Sequence, residues 1–407
     1  MSDDCNYYNI EGANGTIAPQ SDEAYYDDRS DASDDMEKGR LKFPTKMYGR
    51  ERELDMLQSI YSNLIRGGSN CDDEKDGMRI VEEEEVGEDD DKSDTTKNQT
   101  SCVFLGGYSG VGKSALVNEF IKQTQRKHTN SPIIYASGKY TEQSTASVPF
   151  SAITEVLESF AFDLSYVGEE VQDDQTTKMK GGLISRETKT KVWKNIRESE
   201  LIGVGTEGNR VLRKTFPVLI PLLNSCEEGG KKSTEEDDSN DVHPSMNSIK
   251  ESTCGILSII SKTLEYPPII FLDDWQWADE ASFDMLSFLL SNPELRRVMF
   301  ICAYRSNEVD ADHSFAKLMD AAPTEYVQKM DLFSLSTEAI TLFIADSVKK
   351  EDDEGVAELA EAVYEKTMGK LLLSSMPNLS VELSLNFLLT LIFFLWCRKY
   401  LLHNASP

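Results

Sequence analysis

The run Gly107-Tyr108-Ser109-Gly110-Val111-Gly112-Lys113-Ser114 fills every position of the pattern G-x-x-x-x-G-K-S. Glycines at this spacing let the backbone curl until its N–H groups point inward at an anion, the geometry that cradles the phosphates of a nucleoside triphosphate. On that reading Gly107, Gly110, Val111, Gly112, Lys113, Ser114 and Ala115 contact the nucleotide. Lys113 faces the β- and γ-phosphates and the Ser114 hydroxyl ligates Mg²⁺, so the implied ligands are a nucleoside triphosphate and Mg²⁺. An apolar run, 102–106, leads into the loop. A helical pattern with Leu116, Val117, Phe120 and Ile121 on one face leaves it, turning its positive end toward the same anion.

A second constellation is Ile269-Ile270-Phe271-Leu272-Asp273-Asp274, an apolar strand ending in two carboxylates. A metal held by phosphates needs a carboxylate nearby, usually through water, and a strand end can present one opposite the loop. Asp273, the first acid after the run, suits the metal. Asp274 then takes the position that orients or deprotonates an attacking water. Arg305 closes a later strand, at the end where parallel sheets hold ligands, and is placed to reach the γ-phosphate. Lys113, Asp274 and Arg305 are thus the expected catalytic set, with Ser114 and Asp273 as metal ligands. Trp275 reads as packing rather than chemistry.

Five candidate strands must position these groups: 102–106, 133–137, 268–273, 298–304 and 326–332. Several are near-continuous apolar runs, as strands covered on both faces require. With helical patterns between them, the expected fold class is α/β: a three-layer P-loop NTPase with a parallel five-stranded sheet. Two more helices follow. In 336–349, Ser336 is the expected N-cap and Ile340, Phe343, Ile344 and Val348 form a stripe. In 353–368, Val356, Leu359, Ala360, Val363 and Tyr364 do the same, with Gly369 as the stop. These helices read as an incomplete helical lid.

The net charge of −29 is concentrated in tracts: −8 in residues 1–40, −9 in 67–100 and −5 in 226–241. Segments so rich in Asp, Glu, Ser and Gly cannot bury enough apolar surface to offset ordering entropy, and are expected to be long acidic disordered insertions. The alternative is a set of acidic docking segments for basic protein partners. The acid excess argues against a broad electrostatic grip on nucleic acid, which needs clustered Lys and Arg. Seven cysteines show neither a C-x-x-C pair nor zinc spacing, and the start lacks a secretory h-region, so a cytoplasmic location is expected.

Together these residues resemble the origin-recognition-like AAA ATPase domain of the STAND class of P-loop signalling ATPases. Met47-Tyr48-Gly49-Arg50-Glu51-Arg52-Glu53 is similar to the segment that family places before its P-loop, near the adenine. The resemblance therefore implies Tyr48, Gly49 and Arg50 as nucleotide contacts. Gly138-Lys139-Tyr140 with 148–153 resembles the family's second-strand region, and 272–281 with 303–309 its Asp-Asp-x-x-Trp-x-Asp and sensor segments. The implied organisation is an acidic N-terminus over 1–42, an ATPase domain over 43–332 with acidic insertions at about 67–100 and 226–249, and a partial lid over 333–369.

After Gly369 the family pattern stops, and no winged helix or repeat sensor is visible. Residues 370–407 form an apolar segment of doubtful origin. Its run Leu383–Cys397 is open to three readings: a membrane anchor, a packed helix making an oligomer contact, or translated intron. Any membrane contact would run through that stretch, which at ~1.5 Å per residue is short of a ~30 Å hydrocarbon core. The function implied is a Mg-ATP-binding, slowly hydrolysing regulatory switch that exchanges ATP and ADP, acts on an unidentified protein partner and is compatible with nucleotide-dependent homo-oligomers. The alternatives are an ATP-binding scaffold without turnover and a replication-initiator-type ATPase engaged with DNA. Arg296 and Arg297 are candidates for an arginine finger offered to a neighbouring subunit.

Overall fold

A computed structural model describes residues 46–67, 100–128, 131–142, 149–165, 184–227, 243–321, 327–348 and 354–369. The acidic N-terminus, most of both acidic tracts and the apolar run 383–397 lie outside the described residues.

Five strands, β1 (Ser101–Gly107), β2 (Tyr135–Lys139), β3 (Ile269–Asp273), β4 (Met299–Ala303) and β5 (Val327–Leu332), form one sheet in the order β2-β3-β4-β1-β5. Every neighbouring pair is parallel. The expected parallel five-stranded α/β fold is therefore present. β2 pairs two residues later than its apolar run suggests. Ile133 and Ile134 are buried but precede the pairing, which takes Tyr135–Lys139 instead.

Alternate side chains of each strand serve different cores, which explains why the strands read as continuous apolar runs. Val103, Leu105, Ile269, Phe271, Met299 and Ile301 face a layer made by α1 (Glu51–Gly67) and α2 (Lys113–Lys127). Cys102, Phe104, Ile270, Leu272, Phe300 and Cys302 face the opposite layer. That layer is built from α3 (Ser151–Ser165), α4 (Arg186–Arg197), α5 (Glu207–Thr215), α6 (Ile220–Ser225), α7 (Met246–Thr263), α8 (Glu280–Ser291) and α9 (Ser314–Ala321). Cys102 and Cys302 are wholly buried free thiols, the small-hydrophobe role expected of them.

Helices α10 (Thr337–Val348) and α11 (Glu354–Thr367) follow β5 and pack on each other. The Ser336 hydroxyl accepts the Ala339 N–H at 3.3 Å, the N-cap the sequence suggests. Ile340, Phe343 and Ile344, and Val356, Ala360 and Val363, are buried. Tyr364, expected in the second stripe, is exposed. Gly369, at φ 70°, ends α11, and its carbonyl accepts the Leu335 N–H at 3.0 Å, closing the end of the pair onto its beginning. No helix among the described residues is long and apolar enough to cross a membrane.

Candidate nucleotide site

The site forms at the carboxyl end of the sheet. β1 delivers the loop Tyr108–Gly112 directly into the N-terminus of α2. Gly112, the residue before the helix, has φ 98° and ψ 24°. A Cβ there would meet nothing, so the demand for glycine is conformational rather than spatial. The Leu116 N–H donates to the Gly112 carbonyl at 2.9 Å and starts the helix. The N–H groups of the first turn are left for another acceptor.

Lys113 is buried, and its Nζ donates to the carbonyls of Gly107 at 2.8 Å and Tyr108 at 3.1 Å. The ammonium thus ties the two ends of its own loop together. Burial lowers its pKa below 10.5, while the nearby Asp273 and Asp274 carboxylates pull the other way.

Asp273, the last residue of β3, accepts from the Ser114 hydroxyl at 3.1 Å. β4 separates β1 from β3, so this contact crosses a whole strand. No group of three or more His, Cys, Asp or Glu placed to hold a metal occurs among the described residues. Two convergent oxygens are nevertheless what Mg²⁺ takes from protein when phosphates and water supply the rest, and Ser114 with Asp273 fits that need.

Asp274 has φ 52° and ψ 43°, a left-handed backbone that Asp tolerates better than most residues. The twist buries its carboxylate, and both oxygens are engaged. Oδ1 accepts from Arg305 Nε at 3.1 Å and Gln276 Nε2 at 3.1 Å, while Oδ2 pairs with Lys139 Nζ at 3.2 Å. Arg305 also donates to Glu308 at 2.9 Å, and its guanidinium lies 4.4 Å from the centre of the Trp277 ring. Trp275 is fully buried among Tyr140, Phe283 and Phe315, which makes it packing.

The segment before α1 joins the loop from the other side. Arg50 is buried, and its Nη2 donates to the carbonyls of Val111 at 3.0 Å and Phe333 at 2.5 Å. The Tyr48 hydroxyl donates to Asp346 of α10 at 2.5 Å, and its ring meets Phe343 edge-on at 5.7 Å. Gly49, at φ 64°, lies so close to α10 that a Cβ would come within 2.7 Å of the Ala339 Cβ.

All the expected site residues except those of the leading segment therefore converge at the strand ends, and Tyr48–Arg50 brace the loop and α10. Lys139, Gln276, Glu308 and Trp277 also belong to the constellation, although the sequence reading gave them no role. Lys139 pairs with Asp273 in strand register, so the strand-end rule would have found it had β2 been placed two residues later. Gln276 offered no periodicity or charge to flag it. Arg297, by contrast, is occupied elsewhere. It sits before β4, away from the loop, and donates to the carbonyls of Leu264 at 3.3 Å and Glu265 at 2.5 Å behind α7.

A family model described as an AAA ATPase domain matches residues 92–301, more than half of the chain. No curated protein matches. Among solved structures, the chain is similar to a signal transduction ATPase with numerous domains (STAND) carrying a tetratricopeptide repeat sensor, from Pyrococcus horikoshii. That likeness has 12% identity, a TM-score of 0.31, and covers 87% of this chain and 33% of the other. It is also similar to the ORC2 protein of Aeropyrum pernix, solved with ADPNP and ADP (9% identity, TM-score 0.37, covering 81% and 60%) and with ADP (10%, 0.39, 81% and 61%). The chain thus spans between a third and three-fifths of the length of these proteins. With P-loop, paired aspartates and parallel sheet all lying within or beside the matched stretch, the chain belongs to the AAA ATPase domain family.

Proposed function

We propose that this protein binds Mg-ATP, hydrolyses it slowly, and uses the difference between ATP and ADP to change how residues 333–369, a partial lid, sit on an ATPase domain spanning 43–332. The observation that carries the switch is Arg50, which holds a carbonyl of the phosphate loop and a carbonyl at the start of the lid with one nitrogen. A loop that rearranges around phosphates disturbs Val111, and Arg50 passes that disturbance to Phe333. A ligand shifts such an equilibrium only through differential contacts with its two states, and this is one such contact. The STAND-type signalling role, and a protein partner to receive the signal, rest on the same coupling.

The chain's own residues have the following parts. The loop amides and the first turn of α2 bind the phosphates. Lys113 exchanges its two loop carbonyls for phosphate oxygens. Ser114 and Asp273 would hold Mg²⁺, whose charge would offset that developing on the phosphates. Asp274 orients the attacking water, and Arg305 fixes Asp274 and can turn toward the γ-phosphate. The work is positioning and charge stabilisation rather than covalent catalysis.

A second reading, a scaffold that binds ATP without turnover, is favoured by one observation: both Asp274 oxygens are already taken by Arg305, Gln276 and Lys139. One experiment separates the two. Purified full-length protein is assayed for bound nucleotide and for phosphate release from Mg-ATP, beside Lys113→Ala and Asp274→Asn. The switch predicts that Lys113→Ala loses nucleotide, and that Asp274→Asn keeps nucleotide but loses most of its turnover. Binding without phosphate release from the native chain selects the scaffold, and equal turnover in native and Asp274→Asn protein removes Asp274 from the mechanism.

A further inference from the structure

The sequence places Gln276 between two tryptophans in the short turn after β3, a position that looks like packing. The residue is 4% exposed, yet its amide is used at both ends. Oε1 accepts the backbone N–H of Arg305 at 3.0 Å, and Nε2 donates to Asp274 Oδ1 at 3.1 Å. The polarity of this amide is forced. A backbone N–H can only donate, so the carbonyl oxygen must face Arg305. A carboxylate can only accept, so the NH₂ must face Asp274.

The Arg305 amide lies just beyond β4, and β4 is pinned to the phosphate-loop strand by the Tyr304 N–H donating to Leu105 at 3.0 Å. Gln276 therefore sets the Asp274 carboxylate against a frame that also carries the phosphate loop. The other two donors to Asp274 cannot do this as well. The Lys139 side chain is 55% exposed and that of Arg305 25%, so both can swing away, whereas Gln276 is enclosed.

We infer that Gln276 is a positioning residue for nucleotide hydrolysis: it holds the plane of the Asp274 carboxylate by bridging it to the backbone at the end of β4. The inference rests on the reading of Asp274 as the group that orients water.

Gln276→Glu is the discriminating change, because it keeps an acceptor for the Arg305 N–H and removes the donor to Asp274. Full-length native protein and variant are compared for steady-state hydrolysis of Mg-ATP across pH, for ADP affinity and for thermal unfolding. The expected result is a fall in kcat of about 10-fold or more at alkaline pH, the scale of one lost hydrogen bond to a charged group, with KM and ADP affinity unchanged. Acidification should restore the variant toward native kcat, because the protonated acid again donates to Asp274. The charged groups around it are Asp274, Arg305, Lys139 and Glu308, with Asp273 and Lys113 beyond them. Recovery of this kind would not follow from a packing role. Equal kcat, or a loss unmoved by pH, overturns the inference while leaving hydrolysis intact.

Gln276→Met, of similar volume, serves if the charged variant fails to fold. A second readout, carbodiimide labelling of Asp274 followed by peptide mass spectrometry, is independent of turnover. If the native chain releases no phosphate, the hydrolysis reading fails on its own. Increased labelling in Gln276→Met then upholds the positioning, and unchanged labelling overturns it.

Discussion

Lys113 shows how burial shapes the chemistry of one side chain. Its ammonium is taken out of water and satisfied by two carbonyls of its own loop, and burial lowers its pKa despite two neighbouring aspartates. The unfolded chain therefore holds this proton more tightly than the folded one. Between the depressed folded value and the ordinary 10.5, the stability cost of the buried charge is relieved as pH rises. Phosphate binding has the opposite requirement, because it needs the charged form. ATP affinity is expected to fall as pH is raised through the depressed range, before a free lysine would titrate. In Lys113→Arg, which stays charged, whatever affinity remains should not show this fall. Calorimetric titration of both proteins with ATP over the alkaline range checks it. The placement of the loop, Asp273, Asp274 and Arg305 at the strand ends was legible in the chain, because each sits at a fixed offset from an apolar run. Gln276 was not, because its role depends on a backbone N–H 29 residues away.

At the scale of elements, the leading segment and α10 act as one unit. Gly49 is required twice, by its positive φ and by the 2.7 Å approach its Cβ would make to Ala339. Gly49→Ala should cost about 1–3 kcal/mol from backbone strain alone, and the clash should lift α10. Tyr48→Phe removes only the hydrogen bond to Asp346, worth about 1 kcal/mol. Burial, reinforced by Asp346, raises the Tyr48 pKa, so the phenol remains a donor throughout the ordinary pH range. Faster amide hydrogen exchange confined to α10 in both variants, larger in Gly49→Ala, is the expected result. Unchanged exchange would mean that the segment does not hold α10. Helix positions here followed from caps and stripes, as Ser336 and Gly369 show. The edge strand β2 did not, because apolar character marks burial, and Ile133 and Ile134 are buried ahead of the residues in register with β3.

For the whole molecule, the layer opposite α1 and α2 is tied together by Phe315. Its ring stacks near-parallel on Phe283 of α8 at 6.1 Å and meets Phe104 of β1 edge-on at 5.1 Å and Tyr304 at 4.9 Å. Phe315→Ala should destabilise the fold by about 3–5 kcal/mol and lower the denaturant midpoint, while nucleotide affinity of the folded protein stays unchanged. A parallel shift in affinity would show that this layer and the site are coupled. What the sequence by itself determined was the α/β class, the parallel sheet and the phosphate loop with its partner carboxylates. Those depend on local patterns: apolar runs long enough for strands, glycines at fixed spacing, acids at strand ends. Only the tertiary structure decided the order β2-β3-β4-β1-β5, which puts a whole strand between Ser114 and Asp273 and still lets them meet. It alone decided that Arg305 and Lys139 close on Asp274, and that Arg50 joins the loop to the segment before α10. The reason is physical. Sequence patterns record which face of an element is buried, whereas a hydrogen bond between strand ends depends on which elements become neighbours.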